Sequence, residues 1–160
     1  MNRLLMGCGI AALVVVGALV TVITILIVRG LDERAGAEKA SREAVLAIVT
    51  TWNEDELIKR GVNDFKTKET REKLDQVFAF YQRLGTFKSL GDGSGNVDTN
   101  YGVAGKLDGY TAHYSFPATF SADTATIEIE SHKESSGWKI LTFNVKSEAF
   151  IREAQPRAPK

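Results

Sequence analysis

A single uncharged stretch near the start of the chain constrains the fold more than any other feature. From Leu4 to Val28 the sequence contains no charged residue, and Arg3 and Arg29 stand at its two ends. As an α-helix rising ~1.5 Å per residue, this stretch would be about 37 Å long, more than the ~30 Å hydrocarbon core of a bilayer. We therefore expect residues 1–29 to form a cytoplasmic head and a transmembrane anchor in the lipid bilayer.

Two other interpretations of this stretch are a cleaved signal peptide and a lipoprotein signal. A cleavable signal has an apolar core of ~7–15 residues followed by a small-x-small site. The nearest such site, Ala35-Gly36-Ala37, is separated from the apolar stretch by charged residues. Leu5-Met6-Gly7-Cys8 resembles a lipobox, but Cys8 precedes nearly all of the apolar stretch, whereas a lipobox cysteine follows it. We interpret the stretch as a retained anchor and Cys8 as a small apolar residue.

Small residues within the anchor occur at a spacing that lets transmembrane helices approach closely. They form two small-xxx-small pairs, Gly7 with Ala11 and Gly17 with Thr21. These four residues are the candidates for packing of the anchor against another helix.

The sequence features that bear on the orientation of the anchor conflict. Arg29, Arg34, Lys39 and Arg42 follow the apolar stretch, and the positive-inside rule then favours a cytoplasmic domain. The rule weakens for long translocated domains, and a very short head before Arg3 is typical of an uncleaved signal anchor. We expect a single-pass protein of the bacterial inner membrane with its C-terminal domain in the periplasm or otherwise outside the cytoplasm.

The composition excludes several kinds of site. Cys8 is the only cysteine, so neither an intrachain disulfide nor a cysteine metal cluster can form. The 20 basic and 20 acidic residues balance, which gives no electrostatic case for nucleic acid as a partner. The sequence predicts no cofactor and no metal.

Helical patterns dominate the first half of the remaining chain. Residues 30–36 are expected to be a hinge, and residues 37–149 a single α+β domain followed by a flexible tail, 150–160. Helices are predicted over 37–52, over a short segment that begins after an Asn53 N-cap and ends at Gly61, and over 68–84. The apolar stripe of the last helix is Leu74, Val77, Phe78, Tyr81 and Leu84.

Strand patterns follow. Residues 85–109 are rich in glycine and are expected to be irregular, with short strands near Thr86–Leu90 and Asn96–Val103. Apolar and polar residues alternate after Gly109, and Pro117 marks an edge position or a bulge. The last predicted strand has Leu141, Phe143 and Val145 on one face and Trp138 and Ile140 on the other.

The order of elements predicts the α+β class, with an N-terminal transmembrane helix followed by helices that pack on a curved antiparallel β-sheet. The segments TWNEDELIKR, FAFYQRLGTFKSLG and YTAHYSFPATFSADTATIEIESHKESSGWKILTFNV carry a resemblance over roughly residues 45–147. They are similar to bacterial membrane-anchored proteins and lipoproteins of uncharacterised function, whose domains look cystatin-like or nuclear-transport-factor-2-like. The resemblance implies this fold and not a chemistry.

Four residues are candidates for lining a cavity between helix and sheet: Tyr110, His113, Tyr114 and Phe116. Such a cavity of ~300 Å³ or more, with His113 or Asp108 pointing into it, would favour a small-ligand-binding or enzyme domain. Complete cover by the helix over 68–84 would favour an interaction module instead. No catalytic residue is assigned.

Three functions therefore stay open. The first is a membrane-anchored, non-catalytic interaction or accessory module that binds a protein partner or a second copy of itself through the open face of the sheet or the glycine-rich loops. The second is a small-ligand binder or enzyme that uses the helix–sheet cavity. The third is a subunit or assembly helper of a membrane complex, with the anchor as the contact.

Overall fold

The structure, a computed structural model, describes residues 31–101 and 107–150. The predicted anchor, the interpretation of Cys8, the packing residues Gly7, Ala11, Gly17 and Thr21, and the tail after Phe150 lie outside these ranges. Within them, no helix combines the length and the apolarity needed to cross a membrane. The chain divides into two units, Met1–Ala35 and Gly36–Lys160, and the second contains the sheet and the helical residues from Gly36 onward.

Within the described residues, three α-helices precede the sheet. Helix α1 covers 31–51 within the described residues, α2 is Glu54–Arg60 and α3 is Lys68–Tyr81. The described part of the expected hinge, 31–36, is helical, and it contains no proline that would interrupt a helix.

The predicted caps of the shorter helices are confirmed. The Asn53 side chain accepts a hydrogen bond from the Asp55 N–H at 2.9 Å and so begins α2, which ends at Gly61. Thr67 accepts from the Thr70 N–H at 3.2 Å and begins α3. Local capping chemistry therefore sets the boundaries of these two helices.

Helix α3 buries a narrower face than its apolar stripe suggests. Phe78 and Tyr81 are buried, as is Leu84 in the short 3-10 helix that follows, but Val77, expected from the stripe to be buried with them, is 40 % exposed. Consecutive helical residues point about 100° apart, so Val77 cannot share the inward direction of Phe78.

The sheet has five antiparallel strands: β1 (Phe87–Leu90), β2 (Ser94–Tyr101), β3 (Leu107–Phe120), β4 (Thr124–Glu134) and β5 (Gly137–Lys146). Strand β3 pairs with β4 along one edge, and β4 pairs with β5. Both β1 and β2 pair with the other edge of β3. The structure confirms the short strands expected near Thr86–Leu90 and Asn96–Val103 as β1 and β2, and β2 begins earlier than expected, at Ser94.

Pro117 lies where β1 ends and β2 has not yet begun. Its carbonyl accepts the Gly91 N–H at 2.8 Å, so the peptide nitrogen, which carries no hydrogen, faces the same gap. The ladder to β4 continues through the Pro117–Thr126 pair without a missing donor. Pro117 was expected at an edge position or a bulge. It lies instead within the central strand β3, opposite the break between β1 and β2, where no partner needs its N–H.

A β-bulge in β5 corrects the predicted division of its apolar residues between two faces. Ile140 pairs with Ser131 and Thr142 pairs with Glu130, which leaves Leu141 as the extra residue. The bulge shifts the alternation by one position, so Ile140 and Val145 both join the core while Leu141 is 37 % exposed. One face of β5 is therefore apolar and the other polar.

The core lies between the helices and this apolar sheet face. From α1 it contains buried alanine, valine and isoleucine side chains, and from the sheet mainly Tyr114, Phe116, Phe120, Ile127 and Ile129. Trp52 ends α1 with a φ of 47° and packs its ring against Phe78, Tyr81 and Phe120 at 5.6–5.9 Å between ring centroids. Phe150, expected in the flexible tail, packs on Phe80 with centroids 4.2 Å apart.

Arg42 of α1 holds the connection between β1 and β2 against the core. Its guanidinium donates to the Gly91 carbonyl at 2.9 Å and lies 5.5 Å from the centroid of the Phe116 ring. A Cβ at Gly93 would overlap that same ring. The glycines of 91–95 therefore allow close packing over aromatic rings.

Candidate functional site

The sheet face that the helices leave uncovered is polar because of the alternation along each strand. In β4, Ile127 and Ile129 point into the core, so Glu128 and Glu130 point away from it. In β3, the buried Tyr114 and Phe116 likewise leave His113 on the opposite face. We call this surface the open face.

The register of the strands brings residues from four of them together on the open face. His113 lies between Asn96 of β2 and Glu130 of β4, and Glu130 is in turn paired with Thr142 of β5. The next row across the sheet contains Ser94, Ser115, Glu128 and Asn144, in that order. Two adjacent rows of polar side chains thus cross the sheet.

These rows line a depression of about 390 Å³ that is open to solvent. Its walls are the polar side chains of both rows, and its floor includes Gly95, Tyr114 and Ile129. Tyr114 contributes through the strand backbone, since its ring is buried on the helix-covered face. We call this depression the central depression.

A second depression of about 260 Å³ lies further along the two strands β3 and β4. It is lined by Pro117, Thr119, Thr124 and Thr126 together with Lys146 and Glu148. Lys146 Nζ lies 2.6 Å from Glu128 Oε1, so this ion pair stands between the two depressions. The two depressions lie next to each other on the open face, and we call them together the polar groove.

Two of the ionic contacts among the described residues lie on the open face. One is the Lys146–Glu128 pair, with side chains 54 % and 39 % exposed. The other joins His113 Nε2 and Asp98 Oδ2 at 3.8 Å and is ionic only when the imidazole is protonated. Both are accessible to water, so each contributes little to stability.

Glu130 differs from the other carboxylates of the groove. Its closest polar contact among the described residues is the Thr142 hydroxyl at 3.4 Å, too long for a strong hydrogen bond to a carboxylate. No lysine, arginine or histidine of the described ranges lies within ion-pair distance of it. Glu130 is therefore a partly buried carboxylate without a compensating charge.

The structure does not bring the four candidate cavity residues together. Tyr114 and Phe116 are buried beneath the helices, with 4 % and 0 % exposure, and Tyr110 is partly exposed on the same face. His113 lies on the opposite face and lines the central depression. Asp108 is not part of that lining. The alternation along β3 already predicts that His113 and the tyrosines face opposite sides of the sheet. The pairing of β2 with β3, which completes the depression, could not be predicted from the sequence pattern.

A third depression, of about 190 Å³, lies between the helices and the end of the sheet and includes Trp138. The indole N–H of Trp138 is buried and has no acceptor among the described residues. Within those residues, no group of three or more histidine, cysteine, aspartate and glutamate side chains could hold a metal ion.

No family model, no curated protein and no solved structure matches the chain.

Proposed function

We propose that the protein is a membrane-anchored, non-catalytic interaction module whose domain lies outside the cytoplasm and binds a protein partner through the open face. The observation that supports this most is the contrast between the two faces of the sheet. One face is closed by helices over an apolar core, and the other is an uncovered polar groove that crosses four strands.

Closure of the helix-covered face weighs against a ligand-binding cavity at that place. The ring of Phe116 is fully buried and lies under Arg42. The rings of Trp52, Phe78, Tyr81 and Phe120 pack against one another between α1, α3 and β3. A small-ligand site usually buries 70–90 % of its ligand in a concave, mostly apolar pocket. The described core leaves its aromatic side chains packed against one another instead.

The groove itself suits recognition better than catalysis. His113 and Glu128 have side chains that are 48 % and 39 % exposed, and catalytic acid–base groups are usually desolvated so that their pKa values match the reaction. A water-accessible row of hydroxyl, amide and carboxylate groups is typical of the polar part of a protein interface.

The uncharged stretch from Leu4 to Val28 supports the anchored part of the proposal. An anchor would keep the open face close to the membrane surface, where a second membrane protein is accessible at high effective concentration. The resemblance to cystatin-like and nuclear-transport-factor-2-like domains is part of the same proposal.

An affinity capture with a matched pair of tryptophan variants tests the proposal. The full-length chain is extracted from its native membranes in mild detergent, as the wild type, as Asn144→Trp and as Gln76→Trp. Asn144 lines the central depression, whereas Gln76 is exposed on α3. We expect a co-purifying protein to be lost with Asn144→Trp and kept with Gln76→Trp. Equal recovery with both variants would refute the assignment to the open face.

A further inference from the structure

The central depression contains a carboxylate that the rest of the domain leaves without a counter-charge. Glu128 is neutralised by Lys146 at 2.6 Å, but Glu130 has only the distant Thr142 hydroxyl among the described residues. The two side chains project from the same face of β4, and their Cα atoms are about 7 Å apart. Glu130 is therefore the carboxylate of the depression that is available to form an ion pair with a bound cation.

We infer that the central depression recognises an arginine side chain of the partner polypeptide, with Glu130 as the carboxylate that pairs with it. This inference rests on the proposed function of the open face. The polar side chains around Glu130 are His113 and Ser115 from β3 and Thr142 and Asn144 from β5, and their hydroxyl and amide oxygens can accept further hydrogen bonds. A guanidinium group presents five N–H donors in a planar fork, which matches such a set better than an ammonium group does.

The shape of the surface favours a polypeptide over a free small molecule. The central depression is open, and the second depression lies on the other side of the Lys146–Glu128 pair, near Pro117. A small ligand would leave much of its surface in water, whereas an extended segment would follow the groove and present one side chain to each depression.

Charge favours a separate partner over a second copy of this chain. After residue 30 the chain has 20 acidic and 18 basic residues, so a second copy has no net positive charge to complement Glu130. Like charges placed together across an interface oppose association. A basic segment of a different protein has the complementary charge.

Titration of the full-length chain in mild detergent with N-acetyl-arginine-amide, followed by NMR, tests the inference. N-acetyl-citrulline-amide is the neutral probe of the same shape, and N-acetyl-lysine-amide is the cationic probe without a guanidinium. We expect shifts of the groove amides with a millimolar Kd for the arginine probe, since the isolated side chain lacks the remaining contacts. Added salt should weaken this binding.

Two glutamine variants of β4 provide the matched comparison. Glu130→Gln removes the charge in the depression, and Glu134→Gln removes one at the exposed end of the same strand, outside the lining. Because a hydrogen bond to a charged group is stronger than a neutral one, we expect Glu130→Gln to weaken the arginine probe about tenfold. Glu134→Gln should leave the Kd unchanged, and both variants should keep the thermal midpoint of the wild type.

Several results would overturn the inference: no binding of the arginine probe, equal binding of the citrulline or lysine probe, or equal Kd values for wild type and Glu130→Gln. Self-association that Glu130→Gln abolishes, measured by sedimentation, would overturn the assignment to a separate partner. The proposed function is tested separately by the affinity capture. If Asn144→Trp abolishes the capture, the open face remains the binding surface even when the arginine probe does not bind. Failure of both experiments would refute the function itself.

Discussion

Tyr81 carries the one ionisable side chain of the described core whose pKa is clearly displaced. Its ring is 9 % exposed and lies among the rings of Trp52, Phe78 and Phe150. Burial raises the pKa of the phenol above its ordinary value of 10.0, and a hydrogen bond with the backbone of Val145 opposes part of that rise. The neutral phenol is therefore the form that the folded core accepts.

This displacement predicts an alkaline loss of stability that depends on one hydroxyl group. The folded chain keeps its phenol proton to higher pH than the unfolded chain, so the contribution is complete below the unfolded pKa and lost as pH rises through the folded pKa. We expect Tyr81→Phe to reduce the steepness of this loss. Urea unfolding of both chains from about pH 8 to about pH 11 measures it, and parallel pH dependences would contradict the assignment.

At the scale of elements, the register of β2 against β3 depends on glycine. Gly95 pairs with Tyr114, and a Cβ at this position would overlap the carbonyl oxygen of His113 and the ring of Tyr114. By contrast, Gly36 lies within α1, where a Cβ would meet only Trp138 Nε1 at 4.0 Å. The same substitution should therefore have opposite effects in the two elements.

We predict that Gly95→Ala destabilises the domain by about 1–3 kcal/mol through overpacking. Gly36→Ala should stabilise it by about 0.5–1 kcal/mol, because alanine has the higher helix propensity. Chemical denaturation of the two variants and the wild type gives both free energies of unfolding. A Gly95→Ala chain as stable as the wild type would show that β2 does not pack on β3 as described.

The elements also show how far the sequence predicts the fold. Caps at Asn53 and Thr67 and the alternation of β3 are local patterns, and the structure confirms them. The bulge at Leu141 depends on which β4 residues lie opposite it, so no pattern within β5 could reveal it. The central depression was missed for a similar reason, because it needs side chains from four strands whose pairing is long-range.

At the scale of the whole molecule, the two faces of the sheet have different roles. The apolar face and the helices stabilise the domain, and the open face has no cover among the described residues although it contains the uncompensated Glu130. We propose that this surface, which contributes little to stability and concentrates polar groups, serves recognition. On this account, variants of the open face change partner binding and leave unfolding largely unchanged.

Site-specific photo-crosslinking in native membranes tests this account most directly. A photoreactive amino acid is placed in the full-length chain at Ser115, in the central depression, or at Gln76, on the exposed side of α3. The account predicts a discrete crosslinked protein from position 115 that disappears with Glu130→Gln, and none from position 76. Crosslinking from position 76 alone, or from neither position, would contradict it.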